Sequence, residues 1–354
     1  MSHVSDLQLQ DLPGVEPYMI SKLKRAGIQS VTDLAVSTPV ELIAGDYADN
    51  SPIEADIETV FQLVTKAKKA LMDFGVLDKE FCSGEQILEK RSQLVRFTTG
   101  SKDLDTLLKG GAESQALTEI IGEFGSGKSQ LCHTLCVTAN NTNQQRNVGG
   151  QKLVGNGNYI NIIFIDTENT FRPERVHQIA EARGLDHEEI MKKIFVCRIH
   201  NSAQLEAVIK NLGKYIEQYE ARLVIIDSII SLHRAEYSGR ETLAERQQRL
   251  NIMLHKLVRL AEIYNVAVVY TNQVQSQPGV PFGTVDPTRA AGGNIIAHAS
   301  TYRIFLRKAG RNRIAIMLDS PHHAYGQVKF TIGESGVQDV EVEKVSSSNN
   351  ESGW

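Results

Sequence analysis

The octapeptide GEFGSGKS at residues 122–129 restricts the possible folds more than any other stretch of the chain. It fits G-x-x-x-x-G-K-[ST] at each fixed position, with Gly122, Gly127, Lys128 and Ser129; Glu123, Phe124, Gly125 and Ser126 fill the loop between them. Glycines permit the backbone turns that aim successive N–H groups inward at phosphate. Such a loop needs a strand ahead to fix its start and a helix behind whose unpaired N–H groups and dipole favour an anion. Both are present: "ALTEII" (116–121) is an apolar, β-capable run, and "KSQLCHTLCVTA" has helical spacing. The expected ligand is ATP with Mg²⁺, Lys128 reaching the β- and γ-phosphates and the Ser129 hydroxyl ligating the metal.

A second aliphatic run, "RLVIID" (222–227), ends in Asp227, which reads as a carboxylate holding Mg²⁺ through water. A third, "NYINIIFID" (158–166), runs into "TENTFRPER" and leaves Glu168 just past the strand end, where a carboxylate can polarise a water. Strands follow at "VAVVYTNQV" (266–274), "TYRIFLRK" (301–308) and "RIAIMLDS" (313–320), separated by helical stretches such as "SAQLEAVIKNLGKYIEQY" and "LAERQQRLNIMLHKLVRLAEIYN". This alternation specifies an α/β fold with a mostly parallel sheet covered by helices on both faces, over residues 96–343. Ligands of such sheets bind at the carboxyl ends of the strands.

Residues 1–75 read as a small all-α unit. "EPYMISKLKRAGI" is amphipathic, Ser30 can cap "VTDLAVS", Thr38-Pro39 opens "PVELIAG", and a longer helix over 54–75 places Ile57, Val60, Phe61, Val64, Ala67 and Leu71 on one face. "LPGV" (12–15) forms a tight hairpin that either offers N–H groups to a DNA phosphate or simply joins two helices. Residues 76–95 form a connecting segment with an isolated aromatic, Phe81, that packs locally or anchors in a pocket of another molecule. The Asn- and Gly-rich run 140–158 reads as a solvated insertion and 344–354 as a disordered tail. The four cysteines set no disulfide or zinc pattern; Cys132 and Cys136 read as buried helix positions in a reducing, cytoplasmic protein. No apolar run is long enough for a membrane span, and the first residues lack a secretory pattern. A protein that binds nucleic acid through a broad basic surface is usually positive, whereas the formal net charge here is −4, so any nucleic-acid contact is expected from local features.

Taken in order, the phosphate loop, "IDTENTFRPER", "LVIIDS", "ERQQRL", "TNQV" and "GGNIIAHAS" resemble the RadA family of archaeal recombinases, relatives of bacterial RecA and the eukaryotic Rad-type recombinases. The likeness is close over about 80–343 and looser before. It implies a RecA-like ATPase core, a helix-hairpin-helix-like N-terminal domain, and a DNA-dependent ATPase that assembles on single-stranded DNA and pairs it with duplex DNA. It further implies Glu168 as the catalytic glutamate, Arg175 as the arginine stacking on adenine, and Gln273 as the residue sensing the γ-phosphate. The resemblance also implies that His298 couples nucleotide state to DNA. DNA contacts are implied for Arg234, Tyr237, Arg240 and Arg246 in a first loop and for Gln275, Arg289, Gly292 and Gly293 in a second. Phe81 and Gly84 match the polymerisation motif that inserts into a neighbouring copy, and Asp319 in "LDSP" matches the segment capping ATP from that neighbour. Partners implied are single- and double-stranded DNA, other copies in a helical filament or ring, and recombination mediators, in a nucleoid-associated, cytoplasmic setting.

Two positions depart from the family pattern. Glu16 stands where "L-P-G-V-G" has its second glycine; a carboxylate beside a phosphate is repulsive, which argues against DNA contact by this hairpin. Tyr325 and Gln327 in "HAYGQ" replace carboxylates, which argues against a monovalent-cation site at the subunit interface. An ATP-binding mediator without strand exchange, a ring helicase and an ATPase unconnected to DNA remain as alternatives at this point.

Overall fold

Aliphatic runs that end in a glycine, an acid or an amide become the parallel centre of a nine-stranded sheet. The computed structural model describes residues 7–44, 52–140, 159–237, 239, 241–274 and 291–340. The run 141–158, most of the second loop (275–290) and the tail lie outside the described residues. A two-stranded antiparallel ribbon, β1 (Arg96–Phe97) with β2 (Ala112–Glu113), leads into the sheet. The sheet contains β3 (Leu117–Gly122), β4 (Asn161–Asp166), β5 (Ile194–Arg198), β6 (Ala221–Asp227) and β7 (Ala267–Gln273). β8 (Tyr302–Ala309), β9 (Asn312–Asp319), β10 (Gln327–Gly333) and β11 (Gly336–Asp339) complete it.

The spatial order is β11-β10-β9-β8-β3-β7-β6-β4-β5. Pairings from β8 through β3, β7, β6 and β4 to β5 are parallel, whereas β8, β9, β10 and β11 pair antiparallel. Parallel strands buried on both faces need apolar residues at successive positions, and β3 is buried along its whole length. Alternate side chains then serve two cores. Ile163, Ile165, Val224, Ile226 and Val268 pack with helices Ser202–Lys210, Leu212–Tyr219 and Leu243–Tyr264. Ile162, Phe164, Leu223, Ile225, Val269 and Leu306 pack with helices Lys128–Thr138 and Pro173–Ala182. The expected α/β architecture is therefore the observed one. Among the described residues no helix is long and apolar enough to cross a membrane.

Strands β5, β10 and β11 were not expected from the sequence. The helical N-terminal part follows its capping signals closely. A 3₁₀ turn Leu9–Asp11 precedes helices Pro17–Arg25, Val31–Val36, Pro39–Ala44 and Ile57–Asp73. Asp33 N–H donates to Ser30 Oγ at 3.0 Å and Asp33 Oδ2 accepts from Ser30 N–H at 3.1 Å, a reciprocal cap. In the hairpin, Gly14 adopts φ +66°, and its carbonyl accepts from Lys66 Nζ at 3.3 Å.

One expectation is corrected. Helix Ile57–Asp73 buries Val60, Leu63, Val64, Ala67 and Leu71, while Ile57 and Phe61 are exposed. The apolar stripe leans to the Leu63 side, because helices Val31–Val36 and Pro39–Ala44 pack there. This leaves Ile57 and Phe61, one turn apart, on the flank. In the connecting segment Ser83 caps helix Gly84–Ser92, which buries no residue at all, and Phe81 is 92% exposed.

Candidate functional site

Four strand ends meet at one edge of the sheet. In register, Gly122 of β3 lies beside Gln273 of β7 on one side and Leu306 of β8 on the other, and Asp166 of β4 lies beside Asp227 of β6. The loop leaving β3 turns on Gly125 (φ +71°) and Gly127 (φ +107°), a left-handed backbone that glycine adopts without penalty. Gly127 is also the N-cap of helix Lys128–Thr138, whose first N–H groups have no carbonyl ahead of them. A Cβ on Gly122 would lie 2.4 Å from Ser126 Oγ and 2.6 Å from the Leu306 carbonyl, so the loop closes only without a side chain there. Lys128 Nζ donates to the carbonyls of Gly122 (2.9 Å) and Glu123 (3.0 Å), which folds the ammonium over the concave side of the loop. Burial lowers the Lys128 pKa, and Asp227 and Glu168 oppose that shift. Ser126 Oγ is buried and has no hydrogen-bond partner among the described residues. Phe124, by contrast, is 98% exposed at the loop tip.

The acids divide by their partners. Asp166 accepts from the N–H groups of Thr170 (3.0 Å) and Phe171 (3.1 Å), so it shapes the turn after β4. Asp227 is buried and accepts from Thr170 Oγ1 (2.9 Å) and Thr271 Oγ1 (2.5 Å). The Asp227–Ser228 peptide is cis. Glu168 Oε1 accepts from Ser228 Oγ at 2.7 Å and from Gln273 Nε2 at 2.9 Å. Gln273 Oε1 in turn accepts from Arg234 NH1 at 3.0 Å. Lys128, Asp227, Glu168 and Gln273, named from sequence, therefore converge on one edge. Thr170, Thr271 and Ser228 were missed; each is a hydroxyl within a few residues of a named acid or amide, and that adjacency was the available signal.

Arg175 stands in the first turn of helix Pro173–Ala182. Its guanidinium donates to Gln130 Oε1 (2.8 Å) on the phosphate-loop helix, to the Gly333 carbonyl (2.6 Å) and to the Glu334 carbonyl (3.1 Å). Those bonds lie in the guanidinium plane and leave its faces for stacking. Cys132 and Cys136 are fully buried, and burial pushes both thiols up.

Helix Ser231–Glu236 carries Arg234 and leads to Tyr237. Arg246 NH1 donates to the Tyr237 carbonyl at 3.1 Å, and the Arg249 guanidinium lies 5.3 Å above the Tyr237 ring. Arg240, Gln275 and Arg289 lie outside the described residues. The ends of the second loop are joined: Ala291 N–H donates to the Gln273 carbonyl at 2.8 Å, and Asn272 Nδ2 donates to the Ala291 carbonyl at 2.8 Å. Gly292 (φ +93°) then caps helix Gly293–Ala299, on which His298 is exposed. Asp319 ends β9 beside Arg303, at the opposite end of β8 from the phosphate loop, and so does not join this edge within one chain. Phe81 and Gly84 are likewise remote from it in sequence and stand on the exposed connector.

A family model described as Rad51 matches residues 90–340. The chain belongs to the Rad51 family. A curated relative, "DNA repair and recombination protein RadA" of Cenarchaeum symbiosum (strain A), is 44% identical over 340 residues, which cover 96% of this chain and 81% of the relative. The resemblance carried by the motifs thus extends over nearly the whole sequence of this Rad51-family chain, including the N-terminal helices that precede the matched model.

Proposed function

We propose that this chain is an ATP-dependent DNA recombinase: it assembles on single-stranded DNA as a filament, pairs that strand with homologous duplex DNA, and exchanges strands during recombinational repair. The observation that carries this reading is the junction at β7. The end of β7 presents Gln273 to Glu168 and bonds through its carbonyl to Ala291 N–H, where the second loop returns, so the edge that fits the nucleotide and the loop we propose to contact DNA share a single residue.

The residues at this edge fit ATP. A glycine-closed loop, a buried Ser126 hydroxyl with no partner among the described residues and a lysine that donates to two loop carbonyls form a donor-rich concavity. Ser129 and Asp227 would hold Mg²⁺, which supplies charge neutralisation of the phosphates when bound. Glu168 orients a water for attack on the γ-phosphate, and Lys128 stabilises charge that develops there. Arg175 stacks on adenine. Gln273 and His298 relate nucleotide state to the DNA loops. Arg234, Tyr237, Arg240 and Arg246, with Gln275, Arg289, Gly292 and Gly293, contact the DNA backbone. Phe81 and Gly84 join each copy to the next, a head-to-tail contact that generates a helix or ring. Asp319 caps the nucleotide of the adjoining copy. Few contacts per copy suffice in such an array, which reconciles DNA binding with a net charge of −4.

The test is electron microscopy and D-loop formation with purified protein, Mg²⁺, single-stranded DNA and either ATP or a non-hydrolysable analogue. Filaments and D-loops are expected. Filaments without D-loops would favour the mediator reading, and a protein that stays monomeric under these conditions refutes the proposal.

A further inference from the structure

We propose that His177, Glu181 and His187 form a binding site for a transition-metal ion of the Zn²⁺ class, separate from the nucleotide edge and its Mg²⁺.

The three side chains come from two helices joined by a tight reversal. His177 and Glu181 stand one turn apart on helix Pro173–Ala182, and His187 opens helix His187–Lys192. The backbone fixes the reversal. Leu185 N–H donates to the Ala180 carbonyl and Gly184 N–H to the Glu181 carbonyl, each at 2.9 Å, with Gly184 at φ +67°. Val176, Ile179 and Ala180 on the first helix and Ile190 on the second are buried, so both helices are seated on the core. Apolar packing thus sets the backbone from which the three polar side chains project.

On the outer face those side chains already meet. The rings of His177 and His187 stack with centroids 3.8 Å apart, and His177 Nε2 lies 3.0 Å from Glu181 Oε1. One ligand atom from each residue lies within 4.8 Å of the other two. Tetrahedral Zn²⁺ holds its ligands at about 2.0–2.2 Å, which places them roughly 3.3–3.6 Å from one another. Closing even a pair 4.8 Å apart therefore takes about 1.5 Å or less. Rotamer changes supply that, because the side chains of His177 and Glu181 are 44% and 59% exposed. A carboxylate can only accept, so its contact with His177 keeps the ring proton on Nε2. A bound ion takes that proton's place; the proton moves to Nδ1, and the imidazole stays neutral as a ligand must.

Charge and donor type point to the same class of ion. Glu188 and Glu189 in the first turn and Asp186 at the cap offset the positive end of the helix that His187 opens. Cations of this stretch are engaged elsewhere: Arg175 with Gln130, Arg183 with the carbonyls of Ser335 and Val337 at 2.7 Å each, and Lys192 with Glu189 at 2.7 Å. Mg²⁺ prefers oxygen ligands and a rigid octahedron, whereas two imidazoles and one carboxylate suit Zn²⁺, with water in the fourth position. A surface ion pair accounts for His177 and Glu181 alone. It gives no part to His187, which arrives from a different helix. The ion would cross-link the two helices on the outer side of the one whose first turn carries Arg175.

The test titrates full-length, tag-free protein, stripped with chelator, with ZnCl₂ in excess MgCl₂ by isothermal calorimetry, and records melting with and without Zn²⁺. Wild type is compared with His177→Gln, His187→Gln and Glu181→Gln. All three changes are at the outer face, so melting without Zn²⁺ should stay near the parent's. Glu181→Gln, which preserves shape, keeps the test open should a histidine variant fold poorly. Wild type is expected to bind about one equivalent that Mg²⁺ does not displace. Each variant should bind at least about tenfold more weakly, the loss that even an outer partner of a metal ligand produces. At free Zn²⁺ near 100 times the dissociation constant, wild-type melting should rise on the order of 5–10 °C. Most of that rise should vanish at the same Zn²⁺ concentration in His187→Gln. Absence of uptake by wild type overturns the proposal, as does uptake by the variants within a few-fold of wild type, which puts the ion elsewhere. Neither readout involves nucleotide or DNA, so the result is independent of the recombinase reading.

Discussion

Replacing Arg303 by methionine should destabilise the core strongly, although the side chain is well away from the nucleotide edge. Glu119, in the middle of β3, is fully buried and accepts from Arg303 Nε at 2.6 Å, Asn272 Nδ2 at 2.7 Å and, more weakly, Ser300 Oγ at 3.4 Å. Removing one partner of a buried pair leaves a charge that water cannot reach, a loss of about 3–5 kcal/mol. Two neutral donors remain to Glu119, which favours the lower end, about 3 kcal/mol. In a unit of roughly 250 residues each kcal/mol moves the melting temperature by about 2–4 °C, so Arg303→Met should melt on the order of 6–12 °C below the parent. The double variant Glu119→Gln/Arg303→Met removes the charge together with its partner and should recover most of the loss. Calorimetry on the four proteins of this cycle checks the claim. An Arg303→Met protein that melts within a degree or two of the parent, or a double variant no more stable than the single, refutes the assignment of Glu119 as a buried, arginine-dependent carboxylate. The consequence reaches the site as well. Asn272 bridges Glu119 and the Ala291 carbonyl, so disorder here loosens the point where the second loop returns.

Two other substitutions test the connector and the seam between the helical unit and the core. Phe81→Ala should leave melting and basal ATPase unchanged, since the ring is exposed, and should abolish filaments seen by electron microscopy with DNA; normal filaments would refute the polymerisation assignment. Glu217, which accepts from Tyr264 OH at 3.1 Å, has its carboxyl pKa raised chiefly by burial, with Asp33 adding to the shift. A raised acid contributes stability that is present below its unfolded pKa and is lost as pH rises through the folded value. Glu217→Gln should therefore melt like the parent near pH 4 and above it at pH 7.5; a constant gap across that range contradicts the sign.

The nucleotide edge was legible because phosphate binding constrains residue type at fixed spacing. GEFGSGKS, the acid ending RLVIID and the acid after NYINIIFID each announce a strand end, and parallel pairing then brings strand ends together. What remained hidden was pairing between side chains distant in sequence. Arg234 was read as a DNA contact and Gln273 as a nucleotide sensor, but nothing in one dimension reveals that they touch. The strands missed have a common cause. β10 (Gln327–Gly333) alternates polar with apolar residues, β11 (Gly336–Asp339) is only four residues long, and both lie at the antiparallel edge; β5 is the edge strand on the other side, with Ile194 buried and Val196 and Arg198 exposed. Such strands lack the continuous aliphatic signature of the central ones. The Ile57 and Phe61 error arose differently. Helical periodicity gives the width of an apolar stripe, but which flank meets protein depends on the neighbours, here two short helices on the Leu63 side.

The position of Asp319 bears on whether one chain can make a complete site. Asp319 pairs with Arg303 on β8, three residues before Leu306, and Leu306 is the residue beside Gly122. Three residues span about 10 Å along a strand, and two strand spacings add about 9.6 Å sideways. Asp319 thus lies on the order of 14 Å from Gly122, and its side chain cannot cover that gap without unzipping β9. If Asp319 caps a nucleotide, the nucleotide belongs to another copy. Mixing variants tests this directly. Lys128→Ala lacks a working phosphate loop and Asp319→Ala lacks the cap, so each alone should hydrolyse ATP poorly on DNA. In a random head-to-tail polymer of equal parts, about a quarter of the interfaces join an intact Lys128 on one copy to an intact Asp319 on the next. The mixture should therefore show about a quarter of wild-type turnover, well above the mean of its components. Turnover equal to that mean would place the cap within a single chain, or give Asp319 no part in hydrolysis.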